Sequence, residues 1–276
     1  MSATIRSLYP LALLEEQGMG TAYEYYSKLR VVQTAFDQTI TPGSLLVLGL
    51  PEKHGYDLDL LLVAHQAGAS LTVCEDRPEV LGQLERALGH LPDPSLGRQV
   101  ELVQIDSLTG WRAIEGRHYD WLISTAAVQR LPDAEIVVYV QNARRHADYC
   151  LLFIPNLSNR AHLTLSGLRG LEREQAAALC EQAGAPHGPR LLQSGYCDIP
   201  PFPPGLQRSS EAKENALHSP LEVAAMRVLE WWCRGERWMP AWIQKKWAHL
   251  IYIALELRQG ALELRQGASD LRQGSS

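Results

Sequence analysis

Acidic residues at the ends of apolar runs are the first chemistry this chain offers. Glu75 closes the run Ser70–Glu75, with Asp76 beside it. Asp106 and Ser107 follow Val100–Ile105, Ser124 closes Asp120–Ser124, and Gly49 closes Ser44–Gly49. A carboxylate held at a strand end can accept two hydrogen bonds from the vicinal hydroxyls of a ribose. A second carboxylate one strand away can accept from an exocyclic amine such as that of adenine. A glycine lets a ligand come close to the backbone. Each position also has a plainer reading, since an acid after a strand can cap a turn or simply face water. Asp120, at the start of its run, reads as structural support. His54, in the loop after Gly49, and His162, after the fifth run, are weak candidates for a general base, because histidine titrates near neutrality. A lone loop histidine is more often a surface residue.

These residues need elements that bring them to one place. Short apolar runs recur at Ser44–Gly49, Ser70–Glu75, Val100–Ile105, Asp120–Ser124 and Tyr149–Ile154, mostly separated by helix-length stretches. Such alternation predicts a parallel sheet wrapped by helices, which binds ligands at the carboxyl ends of its strands. Helices are predicted over about 21–36, 57–66, 78–88, 133–146 and 166–184, and a sixth strand over Arg190–Ile199. Pro200 to Gly205 must end that strand, because proline donates nothing to a ladder. Two further helices, Leu221–Cys233 and Met239–Trp247, precede a seventh strand, His249–Leu257.

The length of 276 residues suits one large domain with an embellishment, and 46% hydrophobic against 21% charged residues predicts a packed core rather than disorder. A net charge of −5 without a basic stripe argues against a nucleic-acid partner. The five cysteines show no CxxC spacing, which predicts reduced, buried thiols and no metal site. The apolar patch Leu8–Leu14 is too short for a signal peptide, and no stretch is apolar enough to span a membrane, so a cytoplasmic protein without integral membrane association is expected.

Trp231, Trp232, Trp238, Trp242 and Trp247 crowd the insertion before the last strand. Aromatics serve both cores and interfaces. The plain reading is a helical subdomain packed on the sheet; the sharper ones are a lid over an apolar substrate or a homodimer surface. Lys245 and Lys246 beside tryptophans also suit a weak contact with a membrane surface. Tyr23, Tyr25 and Tyr26 in the lead-in either line a substrate pocket or serve core and lid packing. At the carboxyl end, Leu-Arg-Gln-Gly recurs every seven residues from Leu257; its glycines and sparse apolar residues predict a disordered tail rather than a coiled coil.

In order and wording the strand-end motifs resemble the class I S-adenosylmethionine-dependent methyltransferases. Leu46-Val47-Leu48-Gly49 is similar to that family's first motif, Val73-Cys74-Glu75-Asp76 to its ribose-binding acidic loop, and Val103-Gln104-Ile105-Asp106-Ser107-Leu108 to its adenine-side motif. Tyr119 to Asp133, Phe153-Ile154-Pro155-Asn156 and Ala248 to Ile253 resemble its fourth, fifth and last strands. The likeness spans about residues 40–257. It departs from the pattern at Val47, where the family usually carries an acid, and at Pro51, where it usually carries a glycine; Gly55 stands in for a later glycine. The resemblance implies a Rossmann-like seven-stranded mixed sheet of order 3-2-1-4-5-7-6, last strand antiparallel, with helices on both faces. The expected layout is a helical lead-in (1–40), a methyltransferase-like domain (41–257) with a helical insertion (200–247), and a repetitive tail (258–276). Gly49, Gly55, Glu75, Asp76, Asp106, Ser107 and Ser124 become the expected S-adenosylmethionine contacts, and methyl transfer to a small organic substrate the expected activity. A non-catalytic member serving as a binding or assembly module is the alternative. A nicotinamide-dependent reductase would need G-x-G-x-x-G after the first strand, which Gly49-Leu50-Pro51 breaks.

Overall fold

The computed structural model describes residues 3–52, 55–97, 100–183, 188–202, 217 and 219–258. His54, Gly184, the prolines at 203 and 204 and the tail repeats beyond 258 lie outside the described residues.

Seven strands, β1 (Ser44–Leu48), β2 (Ser70–Glu75), β3 (Val100–Gln104), β4 (Tyr119–Thr125), β5 (Ala147–Pro155), β6 (Arg190–Cys197) and β7 (Leu250–Glu256), form one sheet in the order 3-2-1-4-5-7-6. The pairs among β1 to β5 are parallel, and β7 runs antiparallel to both β5 and β6. The carboxyl ends of β1 to β6 and the start of β7 therefore share one edge, and the residues at these ends meet there whatever their separation in sequence.

Central strands buried on both faces explain the continuous apolar runs. One face packs against α1 (Ile5–Leu14), α2 (Met19–Gln38), α3 (Leu58–Ala67) and α4 (Pro78–Leu88), with Trp121, Phe36 and Tyr149 in an aromatic cluster. The other packs against α5 (Asp133–His146) and α7 (Arg173–Gln182), where Tyr139 meets Trp111 edge-on. All five cysteines are free and buried.

The helix predicted over 166–184 is divided. A short α6 (Arg160–Ser166) ends at Gly167, whose φ of 62° is left-handed, and α7 starts only at Arg173. Between them Leu171 bridges Asn156, and Gly170 lies so close to the backbone of Pro155 and Leu157 that a Cβ would meet their atoms at 2.9 Å. Leu168 and Leu171 thus belong to a turn laid against the end of β5, not to a helical stripe. Strand β6 stops at Cys197, earlier than predicted, because Asp198 takes a left-handed φ of 61°. The insertion contains α8 (Pro220–Gly235) and α9 (Ala241–Trp247), joined by a single 3-10 turn. No helix among the described residues is long and apolar enough to cross a membrane.

Candidate functional site

At the ends of β1 and β2, Glu75 is fully buried. Its Oε2 accepts the Leu50 N–H at 2.6 Å, and its Oε1 accepts the Asp76 and Arg77 N–H groups at 3.1 and 3.0 Å. The Arg77 guanidinium then grips both oxygens, Nε to Oε1 at 2.7 Å and Nη2 to Oε2 at 3.1 Å. Five donors occupy a carboxylate with about four acceptor sites. The rest of the guanidinium donates to the carbonyls of Leu50, Pro51 and Glu52 at 2.9, 3.1 and 3.1 Å. Burial alone would raise the Glu75 carboxyl; the hydrogen bonds from Arg77 and its neighbours outweigh it and hold the group at about 2. Arg130 pairs with Asp76 at 2.8 Å and reaches to 3.6 Å of Glu75.

Gly49 has a left-handed φ of 78°, as a close approach requires, yet what approaches is the chain itself: a Cβ there would meet Ala127 at 2.7 Å and Leu108 at 2.8 Å. Asp106 is exposed, Ser107 is half-buried, and Ser124 is wholly enclosed below the edge. Gly55 makes room for Glu15, whose Oε2 would lie 2.6 Å from a Cβ. Glu15 accepts the N–H groups of Tyr56 and Leu58 at 2.9 and 3.3 Å, and burial pushes its carboxyl up to about 7. Asp57, left-handed at φ 55°, is spent on the buried Lys28 at 2.6 Å, with Asp59 at 3.4 Å. The fold thus sets Gly49, Glu75 and Asp76 at neighbouring strand ends, with Glu75 and Asp76 linked to each other and to Arg130. A cavity of about 340 Å³ opens elsewhere, beside Tyr26, Arg30 and Phe36 and toward the amino ends of the strands.

A second constellation sits at the other end of the same edge. The His249 imidazole Nδ1 lies 2.9 Å from Asp198 Oδ2, and its backbone N–H donates to the Asp198 carbonyl at 2.8 Å. Burial would lower the His249 imidazolium, but the Asp198 carboxylate holds it above the usual range. The His162 ring stacks on His249 with centroids 4.1 Å apart and planes 17° apart. Asp198 is strapped in place: its N–H donates to Ser27 Oγ at 2.8 Å, and Ser27 donates to Glu236 at 3.1 Å. Glu236 also accepts the Ile199 N–H at 2.7 Å and touches the Tyr23 hydroxyl, and burial raises its carboxyl to about 7. Of this group the sequence pointed to His162 and Tyr23. It missed His249 and Asp198, which face each other because Cys197 pairs with Leu250 across a connection of some fifty residues, a register no local pattern encodes.

No family model and no curated protein matches the chain. Solved structures do. The methyltransferase domain of a bacterial CtHen1 is 13% identical at a TM-score of 0.52, over 83% of this chain and 97% of that one. A protein from Galdieria sulphuraria described as a sarcosine dimethylglycine methyltransferase is 15% identical at 0.53, over 90% of each. A magnesium protoporphyrin IX methyltransferase from Synechocystis PCC 6803, solved with S-adenosylhomocysteine, is 16% identical at 0.43, over 61% and 74%. The chain has the class I methyltransferase fold, in its Rossmann-like seven-stranded form. The residues at the ends of β1 and β2 suit an adenosyl group in kind, a glycine after β1 and an acid closing β2. In arrangement the acid is engaged by the chain's own donors, so a ribose would have to take the place of Arg77.

Proposed function

We propose that this chain is an S-adenosylmethionine-dependent methyltransferase acting on a small organic acceptor whose nucleophile carries a proton. The His249–Asp198 pair, on the same edge as Glu75, carries the reading. It lies three strand spacings, about 14 Å, from the end of β1, so the two constellations address opposite ends of one crevice. Gly49 and Glu75 belong to the donor half and His249, Asp198 and His162 to the acceptor half; Asp76, Asp106 and Ser107 flank the donor half.

The cofactor, when bound, supplies an electrophilic methyl group. The rest falls to the chain. Asp198 accepts the hydrogen bond from Nδ1–H and so fixes the tautomer that leaves the Nε2 lone pair free. That nitrogen accepts the acceptor's proton as its nucleophile is used. The imidazolium so formed is offset by the buried carboxylate 2.9 Å away. Stacking on His162 and the strap through Ser27 hold the ring's orientation.

The test is calorimetry with S-adenosylmethionine and S-adenosylhomocysteine, followed by cofactor turnover against a panel of small hydroxyl and amine acceptors. His249→Ala is expected to lower turnover by about 10²-fold or more while leaving cofactor affinity unchanged. One observation favours a second reading, a non-catalytic module: the Glu75 carboxylate is already saturated. Absence of binding at millimolar cofactor, in the wild type and in a variant lacking Arg77, removes the enzyme and leaves the module.

A further inference from the structure

Helix α8 is apolar on two sides. Its inner stripe, Met226, Leu229 and Cys233, is buried, and the helix packs against α1 and α2. Its outer stripe repeats at helical spacing as Leu221, Ala224, Ala225, Val228 and Trp231, all exposed, with Leu221 at 79% and Trp231 at 74%. A surface helix is ordinarily polar on its outer face. The chain continues the feature: Trp238 is 76% exposed, Trp242 68% and Trp247 56%. Asn159 donates to the Trp247 carbonyl at 2.9 Å, so α6, with Leu165 exposed, adjoins the same region, and that region borders His162 and His249.

The charges around this surface decide what covers it. Arg227, Arg234, Arg237, Lys245 and Lys246 lie between 219 and 247, against Glu222, Glu230 and Glu236. Glu236 points inward and Glu230 is tied to the Ile5 N–H at 2.9 Å. Lys245 pairs with Glu172 at 3.3 Å and Arg234 donates to the Tyr26 hydroxyl at 3.3 Å, so Arg227, Arg237 and Lys246 are the exposed cations this surface offers, on a chain of net charge −5. Arg237 lies over the Trp238 ring at 4.7 Å and Lys246 over the Trp247 ring at 5.8 Å, so exposed indoles and cations come in pairs. A two-fold dimer through this face would bring Arg227, Arg237 and Lys246 toward their own copies. An anionic bilayer surface meets both features at once, since indoles settle at the headgroup level and basic side chains bind acidic lipids.

We propose that the α8–α9 face is a peripheral docking surface for anionic membranes. The full chain should co-sediment with vesicles of phosphatidylcholine and phosphatidylglycerol, with a blue shift of tryptophan emission, and should leave pure phosphatidylcholine vesicles largely unbound. Arg237→Gln/Lys246→Gln should weaken the anionic binding by about 30-fold, and added salt should weaken it further. Trp231→Ala/Trp242→Ala should shrink the blue shift and weaken the partition while the melting curve stays in place, because both side chains are exposed. No partition onto anionic vesicles overturns the proposal, as does equal binding to neutral ones. A chain that sediments as a dimer and becomes monomeric with Trp231→Ala/Trp242→Ala also overturns it, giving the face to a second copy. None of these readings depends on cofactor binding.

Discussion

Replacing Arg77 should free the Glu75 carboxylate. Its guanidinium makes the bidentate pair with Glu75 and three further bonds to the carbonyls of residues 50 to 52, with only 21% of the side chain exposed. A ribose that takes Glu75 must first break that pair. Hydrogen bonds to charged groups contribute about 1.5–3 kcal/mol each, and the two arms of one fork are not additive, so the displacement costs about 1.5–3 kcal/mol in all. At 1.4 kcal/mol per decade this corresponds to about 10- to 100-fold in affinity. Arg130 cannot inherit the role cheaply, because it is held by Asp76 at 2.8 Å. Arg77→Ala should therefore bind S-adenosylhomocysteine about tenfold or more tightly than the wild type in calorimetry, and Glu75→Ala/Arg77→Ala should lose the gain. Equal or weaker binding by a folded Arg77→Ala would refute the reasoning, while binding by neither protein would refute the cofactor reading itself.

Other outcomes follow from the same contacts. Gly49→Ala should cost about 1–3 kcal/mol of stability in urea denaturation, because the new Cβ meets Ala127 and Leu108 below 3 Å at a left-handed φ. Lys28→Met should cost about 3–5 kcal/mol in the same assay, leaving Asp57 and Asp59 buried without their cation. Stability should also fall as pH rises from 4.5 to 7. Glu15 and Glu236 have folded values near 7 against 4.5 unfolded, so the folded state binds more protons in that window and loses ground as they leave. Glu75, depressed to about 2, acts in the opposite sense only below 4.5. Melting scans against pH should show the decline, and Glu236→Gln should flatten it; a melting point that climbs from pH 5 to pH 8 would contradict the assignment.

The fold was largely legible because its signal is local. Buried parallel strands write themselves as uninterrupted apolar runs, and Pro78, Pro132 and Gly68 mark helix boundaries by backbone chemistry alone. Legibility failed where tertiary contact overrode periodicity. Gly170 is drawn against the backbone of Pro155, so the stripe that ran through Leu168 and Leu171 is a turn. The site was legible as a set of positions and not as a set of partners. Glu75 stands at the end of β2, but nothing in the sequence says that the arginine two residues on folds back to fill it. Asp198 and His249 needed the β6–β7 register, which an insertion of some fifty residues hides.

The departures at the first motif and the engagement of the Glu75 carboxylate are one structural change. A glycine-rich loop serves a ligand by turning free N–H groups toward it. Here Pro51 has no N–H, and the Leu50 N–H is spent on Glu75 at 2.6 Å. The carbonyls of Leu50, Pro51 and Glu52 turn to Arg77, and Glu52 N–H donates to the Ala126 carbonyl at 3.0 Å. The loop is therefore built as an acceptor for a guanidinium rather than as a donor for a ligand, and Val47 leaves the end of β1 apolar where the family usually carries an acid. It follows that Arg77→Ala frees the ribose acceptor without restoring the N–H groups of the loop. Its gain should be confined to the nucleoside: adenosine and S-adenosylhomocysteine should improve by the same factor. A larger gain for S-adenosylhomocysteine than for adenosine would mean that the loop can still turn its donors outward.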